Sequence, residues 1–239
     1  MLRSLPSLDS TKVALRSVRA LLANPDDLPQ VFTLLEALAG DTHERMERRL
    51  ATSDAGRRIL AERPNIVPLL EDREALRRLP DGSLGRAYLA FLESENISAA
   101  GIQNADARGR AHPESLPPVE AYLHQRMRDT HDLWHAVTGY KGDVVGEAAL
   151  LAFTLGQIWN TGIGLLVAVG FYKTFGSPEA RALIVDGFRR GHRAAWLPEQ
   201  PWESMLAMPV AEVRAKLGIG APPAYTPVRS TDMRMAMAA

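Results

Sequence analysis

Hydrophobic positions recur three and four residues apart along most of this chain, the spacing that gathers side chains on one face of an α-helix. Val13, Leu15, Val18 and Leu22 mark a first helix. Asp27 and Pro29 open a segment with Val31, Leu34, Leu35 and Leu38 on one face, closed by Gly40. Asp41 followed by Glu44 has the form of a capping box ahead of Met46 and Leu50. Ser53 and Asp54 begin a further helix that Pro64 stops, and Ser83 introduces Leu84, Ala87, Tyr88, Phe91 and Leu92. Ser177, Pro178 and Glu179 supply an N-cap, a first-turn proline and a first-turn acid before Leu183, Ile184 and Phe188. Pro209 opens a helix with Val210, Val213 and Leu217 that Gly218 ends. Alternating strand patterns are scarce, and Asp81-Gly82, a hairpin-type pair, lies between helical patterns. The pattern predicts an all-α fold, a single multi-helix domain of about ten helices.

Three stretches depart from this rhythm. Ala148 to Tyr172 is apolar, but Thr154, Gln157, Asn160 and Thr161 interrupt it. Its unbroken apolar run, Ile163 to Phe171, falls far short of the ~20 residues of a spanning helix. It is expected to be a buried core helix, suited to lining a pocket for a long apolar ligand. Gly101 to Pro118 reads as a polar connector and hinge. From Gly220 onward, prolines and methionines give no amphipathic face, which predicts a flexible C-terminal tail. The expected organisation is therefore a helical domain over 1–219 and a tail over 220–239.

Composition narrows the chemistry. The 239 residues carry 28 basic and 28 acidic side chains, without the positive excess of a dedicated nucleic-acid binder. A hydrophobic content of 46% excludes wholesale disorder. There is no cysteine, so disulfides, iron–sulfur clusters, thiolate zinc sites and cysteine nucleophiles are all excluded. A metal here must be held by histidine, carboxylate or water. Arg3, Lys12, Arg16 and Arg19 suggest a transit peptide, but Asp9, Asp26 and Asp27 together with the helical spacing favour a domain helix.

The informative segment runs from Asp129 to Glu147. His131 and His135 are four apart, so a helix aims both imidazoles at one point. Asp132 is turned about 100° from His131 and completes a site only by reaching around, or serves as acceptor for a proton from bound water. Thr138 to Asp143, with two glycines, reads as a break; Asp143 caps the next helix, and Glu147 lies one turn into it, free to face back. Two neutral nitrogens and one or two carboxylates suit a divalent ion and leave positions open for water or substrate. The competing reading is a pair of core histidines placed by chance. His43, His112, His124 and His192 lack comparable neighbours and read as surface or hydrogen-bonded residues. Zincins place a Glu after the first histidine as general base, so Asp132 loosely allows a hydrolase, although the shorter side chain reaches less far.

His-Asp-x-x-His, eleven residues, then Glu resembles the signature of the ubiquinone (coenzyme Q) biosynthesis protein 4 family, reproduced by His131, Asp132, His135 and Glu147. Gly82 to Tyr88, Trp202-Glu203 and Val213 to Ile219 are also similar to segments of that family, so the resemblance covers the chain to about residue 219. It implies an all-helical, usually dimeric protein on the matrix or cytoplasmic face of the respiratory membrane. It implies a divalent metal, zinc first with iron or magnesium as alternatives, held by His131, Asp132, His135 and Glu147. Asp132 acts as base on a metal-bound water if it is not a ligand. The implied activity is oxidative decarboxylation of a polyprenylated aromatic acid, with loss of the C1 carboxyl and hydroxylation at that carbon. The implied alternative is a non-catalytic isoprenoid-lipid-binding scaffold that organises the quinone-biosynthesis complex. Implied partners are a polyprenylated quinone precursor or other isoprenoid lipid, other quinone-biosynthesis proteins, a second copy in a homodimer and the membrane surface, with no nucleic acid. The lack of a mitochondrial leader and the added tail fit a bacterial protein, cytoplasmic and peripheral to the inner membrane.

Two further features have dual readings. Gln157, Asn160 and Thr161 form a polar strip on an apolar helix, facing either a substrate head group or other helices through hydrogen bonds. Gly156, Gly162 and Gly164 beside it permit close packing or leave room for a prenyl chain. Arg189, Arg190, His192 and Arg193 complement a helix C-terminus or attract anionic lipid headgroups.

Overall fold

The amphipathic repeats fold into fifteen α-helices, twelve of them seven residues or longer, with no strand among the described residues. The computed structural model describes residues 7–109, 116–174 and 176–229. The first helices are α1 (Leu8–Ala23), α2 (Leu28–Ala37), α3 (Thr42–Leu50), α4 (Asp54–Glu62), α5 (Val67–Glu71), α6 (Arg73–Arg78), α7 (Leu84–Glu95) and α8 (Ala99–Gly109). They are followed by α9 (Pro118–Asp129), α10 (His131–Thr138), α11 (Val144–Ile158), α12 (Thr161–Lys173), α13 (Pro178–Arg193), α14 (Trp202–Met205) and α15 (Val210–Leu217). The count exceeds ten partly because α5, α6 and α14 are too short to show a hydrophobic period.

Local chemistry sets most helix ends. The hydroxyls of Ser7, Ser53, Ser83 and Ser177 accept from the backbone N–H three residues on, satisfying a donor the helix leaves free. Gly218, at φ 65°, ends α15. Asp41 behaves differently: it precedes α3 but makes no capping bond, because its carboxylate pairs with Arg45. The expected capping box is therefore not formed. The buried face of α1 is also displaced from the expected one: Ala14, Ser17 and Leu21 point inward, while Leu15 and Leu22 are exposed.

Two segments differ from their sequence reading. The first half of the expected polar connector, 101–109, lies in helix α8, held to α2 by the Thr33 hydroxyl, which donates to Gly109 O at 2.6 Å. Residues 110–115, with His112 and Pro113, lie outside the described residues, and Pro118 begins α9. Ala148 to Tyr172 is two helices, α11 and α12. Trp159 takes a left-handed conformation (φ 42°) between them, and the Asn160 side chain caps α12 by accepting from Ile163 N–H at 3.0 Å. No helix among the described residues is long and apolar enough to cross a membrane.

The core centres on α10, in which every residue after the first is buried. Leu133, Trp134 and Val137 pack with Tyr88, Phe153 and Trp202 in one cluster. Each such side chain contributes about 1.5–3 kcal/mol of burial. α11 crosses α13 closely enough that a Cβ on Gly191 would lie 2.1 Å from Phe153 O. α10 and α11 are thus held from several sides, and the predicted site lies at their junction.

Candidate metal centre

α10 stops where Gly139 turns left-handed at φ 83°. The chain then reverses, and the Asp143 carboxylate starts α11 by accepting from Val145 N–H at 3.1 Å and Gly146 N–H at 3.3 Å. That reversal sets Glu147, in the first turn of α11, against the histidine face of α10. His135 Nε2 lies 3.3 Å from Glu147 Oε1, and His131 Nε2 lies 3.9 Å from Glu147 Oε2. His131, His135 and Glu147 each offer one ligand atom, and these lie within 4.8 Å of one another.

Both imidazoles have the right nitrogen free. His135 Nδ1 donates to the Tyr140 carbonyl at 3.0 Å, which leaves the Nε2 lone pair facing the cluster. That Nε2 is buried and makes no hydrogen bond, with Glu147 Oε1 facing it at 3.3 Å, an arrangement that a cation between them would satisfy. His131 Nδ1 sits 3.1 Å from Asp132 Oδ1, so its Nε2 is likewise turned to Glu147. The donor set therefore fits a divalent ion. Asp132, expected as fourth ligand or base, lines the same cavity wall and sets Oδ1 against His131 Nδ1, an orienting contact common behind metal-bound histidines.

Electrostatics couples the cluster. Burial opposes charge on Glu147, but the facing His135 and His131 outweigh it and bring the carboxyl down to about 2. Burial also opposes charge on His135, yet Glu147, Asp132 and the Tyr140 carbonyl outweigh it and raise the imidazole above its ordinary value.

The cluster faces a cavity of about 1550 Å³, larger than the usual ~300–1,000 Å³ of small-molecule sites. His131, Asp132 and Glu147 form part of its wall, and Leu21, Leu28, Leu166 and Val169 form apolar parts. His43 and His124 also line it; His124 Nε2 is 2.9 Å from Asp106 Oδ1, a hydrogen-bonded histidine as expected.

The polar strip divides. Gln157 is committed to packing, donating to Gly191 O and accepting from Leu197 N–H at 2.7 Å. Asn160 caps α12 and donates to Thr42 Oγ1 at 3.2 Å, and both it and Thr161 line the cavity. The break at Trp159 means that the three share no helix. Gly156 gives the expected close approach, its would-be Cβ 2.7 Å from His192 N, whereas Gly164 has only ordinary contacts. In the basic cluster, Arg190 donates to the Thr138 carbonyl at 2.9 Å and the Ile219 carbonyl at 3.2 Å, while Arg189, His192 and Arg193 are exposed.

Residues 220–229 contain no helix, as expected, but they are not loosely attached. Val228 N–H donates to Asp143 Oδ1 at 2.9 Å, and Val144 N–H donates to Val228 O at 3.0 Å. Residues 230–239 lie outside the described residues. Sequence reasoning did not connect Phe91 with the site; it stacks on His135, and its helical spacing marked it only as a packing residue.

The family described as coenzyme Q (ubiquinone) biosynthesis protein Coq4 matches residues 4–223. The mitochondrial ubiquinone biosynthesis protein coq4 of Talaromyces stipitatus is 33% identical over 224 residues, covering 91% of this chain and 74% of that protein. The corresponding protein of Clavispora lusitaniae is 30% identical over 215 residues, covering 84% of this chain and 62% of that one. The chain thus spans between about three fifths and three quarters of these relatives. In fold, it is similar to a crystal structure from Nostoc punctiforme, described as a candidate ubiquinone biosynthesis protein. The TM-score is 0.65 at 21% identity, over 89% of this chain and 97% of that one.

Proposed function

Because the chain belongs to the coenzyme Q (ubiquinone) biosynthesis protein Coq4 family, and so to ubiquinone biosynthesis, we propose that it performs a metal-dependent oxidative decarboxylation there. The substrate on this reading is a polyprenylated aromatic acid, which loses its C1 carboxyl as CO2 and is hydroxylated at that carbon, with dioxygen as the two-electron acceptor, water supplying the remaining atoms and hydrogen peroxide leaving. One observation carries the proposal: two imidazoles and a carboxylate, with one imidazole nitrogen buried and making no hydrogen bond, face one point on the wall of a large, partly apolar cavity.

His131, His135 and Glu147 would hold the ion. Two nitrogens and one oxygen suit zinc, and the same set suits ferrous iron; magnesium, which prefers oxygen ligands, suits it less. When bound, the ion supplies stabilisation of the negative charge that develops on the ring as CO2 leaves. The chain's own groups fix the geometry around it. Asp132 orients His131, the Tyr140 carbonyl orients His135, and Phe91 stacks on the His135 ring. Leu166 and Val169 give the prenyl chain an apolar wall, and the Thr161 hydroxyl is available to the ligand.

The same reading gives the partners: a polyprenylated quinone precursor, other quinone-biosynthesis proteins, a second copy of the chain, and a membrane surface bound peripherally. The exposed Leu8, Leu15 and Leu22 of α1 lie seven residues apart beside Lys12, Arg16 and Arg19, a face suited to an anionic bilayer.

A second reading, an isoprenoid-lipid-binding scaffold, is supported by the cavity itself, whose volume requires no chemistry. The experiment is His135→Ala, with turnover of the carboxylated precursor assayed and the fold checked by circular dichroism. Loss of turnover in a folded variant supports the enzyme. Undiminished turnover overturns the catalytic role, and lipid binding without turnover in the unaltered protein favours the scaffold.

A further inference from the structure

Tyr225 lies beyond the last helix, in a stretch without regular structure, yet its hydroxyl sits in the turn that joins the two halves of the candidate site. It accepts from Lys141 N–H at 2.8 Å and donates to Asp143 Oδ2 at 2.8 Å. The Lys141 N–H belongs to the same planar peptide unit as the Tyr140 carbonyl, and that carbonyl is the acceptor for His135 Nδ1. A rotation of this peptide would carry the partner that orients His135 with it. Tyr225 opposes the rotation from the N–H side.

The second bond acts on Glu147. Asp143 caps α11 through two backbone N–H groups, and its own carbonyl accepts from Glu147 N–H at 2.8 Å. Displacing the Asp143 carboxylate therefore moves the first turn of α11, and Glu147 with it. The approach is tight: a Cβ on Gly146 would lie 2.4 Å from Tyr225 Oη, and one on Gly139 would lie 2.4 Å from the Pro222 side chain. Glycines stand at the two points where the C-terminal segment approaches most tightly.

We propose that Tyr225 is a positioning residue of the metal centre, setting His135 through one peptide unit and Glu147 through Asp143. It touches neither the ion nor the substrate, and the proposal rests on the metal-centre reading above. Removing such an outer partner typically costs about 10- to 100-fold in metal affinity.

The test uses the full chain carrying Tyr225→Phe, which keeps the ring and removes only the hydroxyl. Zinc affinity is measured by competition with a chromophoric chelator, the cobalt(II)-substituted site by its visible absorption, and the metal-free fold by thermal melting. The expected result is zinc affinity weakened about 10- to 100-fold and an altered cobalt spectrum, with a cooperative metal-free melt lowered only modestly by the loss of the two Tyr225 hydrogen bonds. Unchanged affinity and spectrum in Tyr225→Phe, while His135→Ala abolishes binding, overturns the proposal and leaves the metal centre standing. Equal zinc uptake by His135→Ala and the unaltered protein overturns the metal centre and the role of Tyr225 together.

Discussion

Phe91 lies flat against His135, with ring centroids 4.7 Å apart and planes 11° apart. It comes from α7, so a third helix sets the plane of an imidazole whose other constraints come from α10 and the turn that follows it. Phe91→Leu keeps an apolar side chain and removes the flat face. The expected stability loss is about 0.5–1.5 kcal/mol, read from urea unfolding. Zinc affinity should fall about tenfold, as for other groups that orient a ligand from behind. Unfolding shifted by that amount with zinc affinity unchanged would show that the stack packs the core without orienting His135.

The pair Glu147 and His135 gives the metal-free protein a pH signature. Glu147 has its carboxyl brought from 4.5 to about 2, because the facing histidines outweigh burial. Its contribution to stability is present above 4.5 and is lost as pH falls through about 2. His135 is raised above 6.5, because Glu147, Asp132 and the Tyr140 carbonyl outweigh burial. Its contribution is present below 6.5 and is lost as pH rises through the raised value. The pair therefore stabilises the metal-free protein fully only between 4.5 and 6.5. Melting temperature measured without metal should fall on both sides of that window, and Glu147→Gln should remove most of the dependence. Zinc competes with the His135 proton, so its affinity rises with pH and its binding releases a proton. Calorimetry below pH 6.5, in two buffers of different ionisation enthalpy, reads that proton directly; identical heats in both would contradict proton release on binding.

The helices and the site were legible in the sequence to different depths. Ser53, Ser83 and Ser177 announced their helices because capping is local chemistry, decided within four residues. His131, His135 and Glu147 were legible because helical geometry fixes the first pair and Asp143 marks the reversal that returns the third. The sequence left Asp132 two directions to reach, and the packed structure sets its Oδ1 on the His131 Nδ1 side. The break at Trp159 was hidden because Gln157, Asn160 and Thr161 fall at helical spacing across it and read as one polar strip, and a left-handed residue there is unusual for a bulky side chain. Tyr225 was hidden because its partners are more than eighty residues away in sequence and it sits in a segment with no periodicity.

Arg126, buried, pairs with the partly buried Glu203 through two N–H···O contacts of 2.7 and 3.2 Å, and Arg126 also donates to Gln200 O at 3.0 Å. Only 4% of the Arg126 side chain is exposed. Glu203→Ala leaves that cation buried and unpaired, and the expected cost is about 3–5 kcal/mol. Replacing both partners, Arg126→Met with Glu203→Leu, removes the stranded charge and should recover most of the loss. Urea midpoints of the single and double variants check this; equal losses in both would mean that packing, not the unpaired charge, sets the cost.

Gly191 and Gly164 both sit inside helices but should respond to alanine in opposite directions. In an unconstrained helix interior, alanine is favoured over glycine by roughly 0.5–1 kcal/mol. At Gly164 the new Cβ meets Leu155 Cδ1 at 3.7 Å, an ordinary contact, so Gly164→Ala should stabilise by about that amount. At Gly191 the Cβ would lie 2.1 Å from the Phe153 carbonyl oxygen and 2.7 Å from its carbon, backbone atoms of α11 that cannot rotate away. α13 must then move off α11, and overpacking of this kind costs about 1–3 kcal/mol. Because α11 carries Glu147, the same displacement should weaken zinc binding in Gly191→Ala and leave it unchanged in Gly164→Ala. Thermal melting and chelator competition on the two variants test both halves. If Gly191→Ala melts like the unaltered protein, the α11–α13 crossing is looser than the distances require.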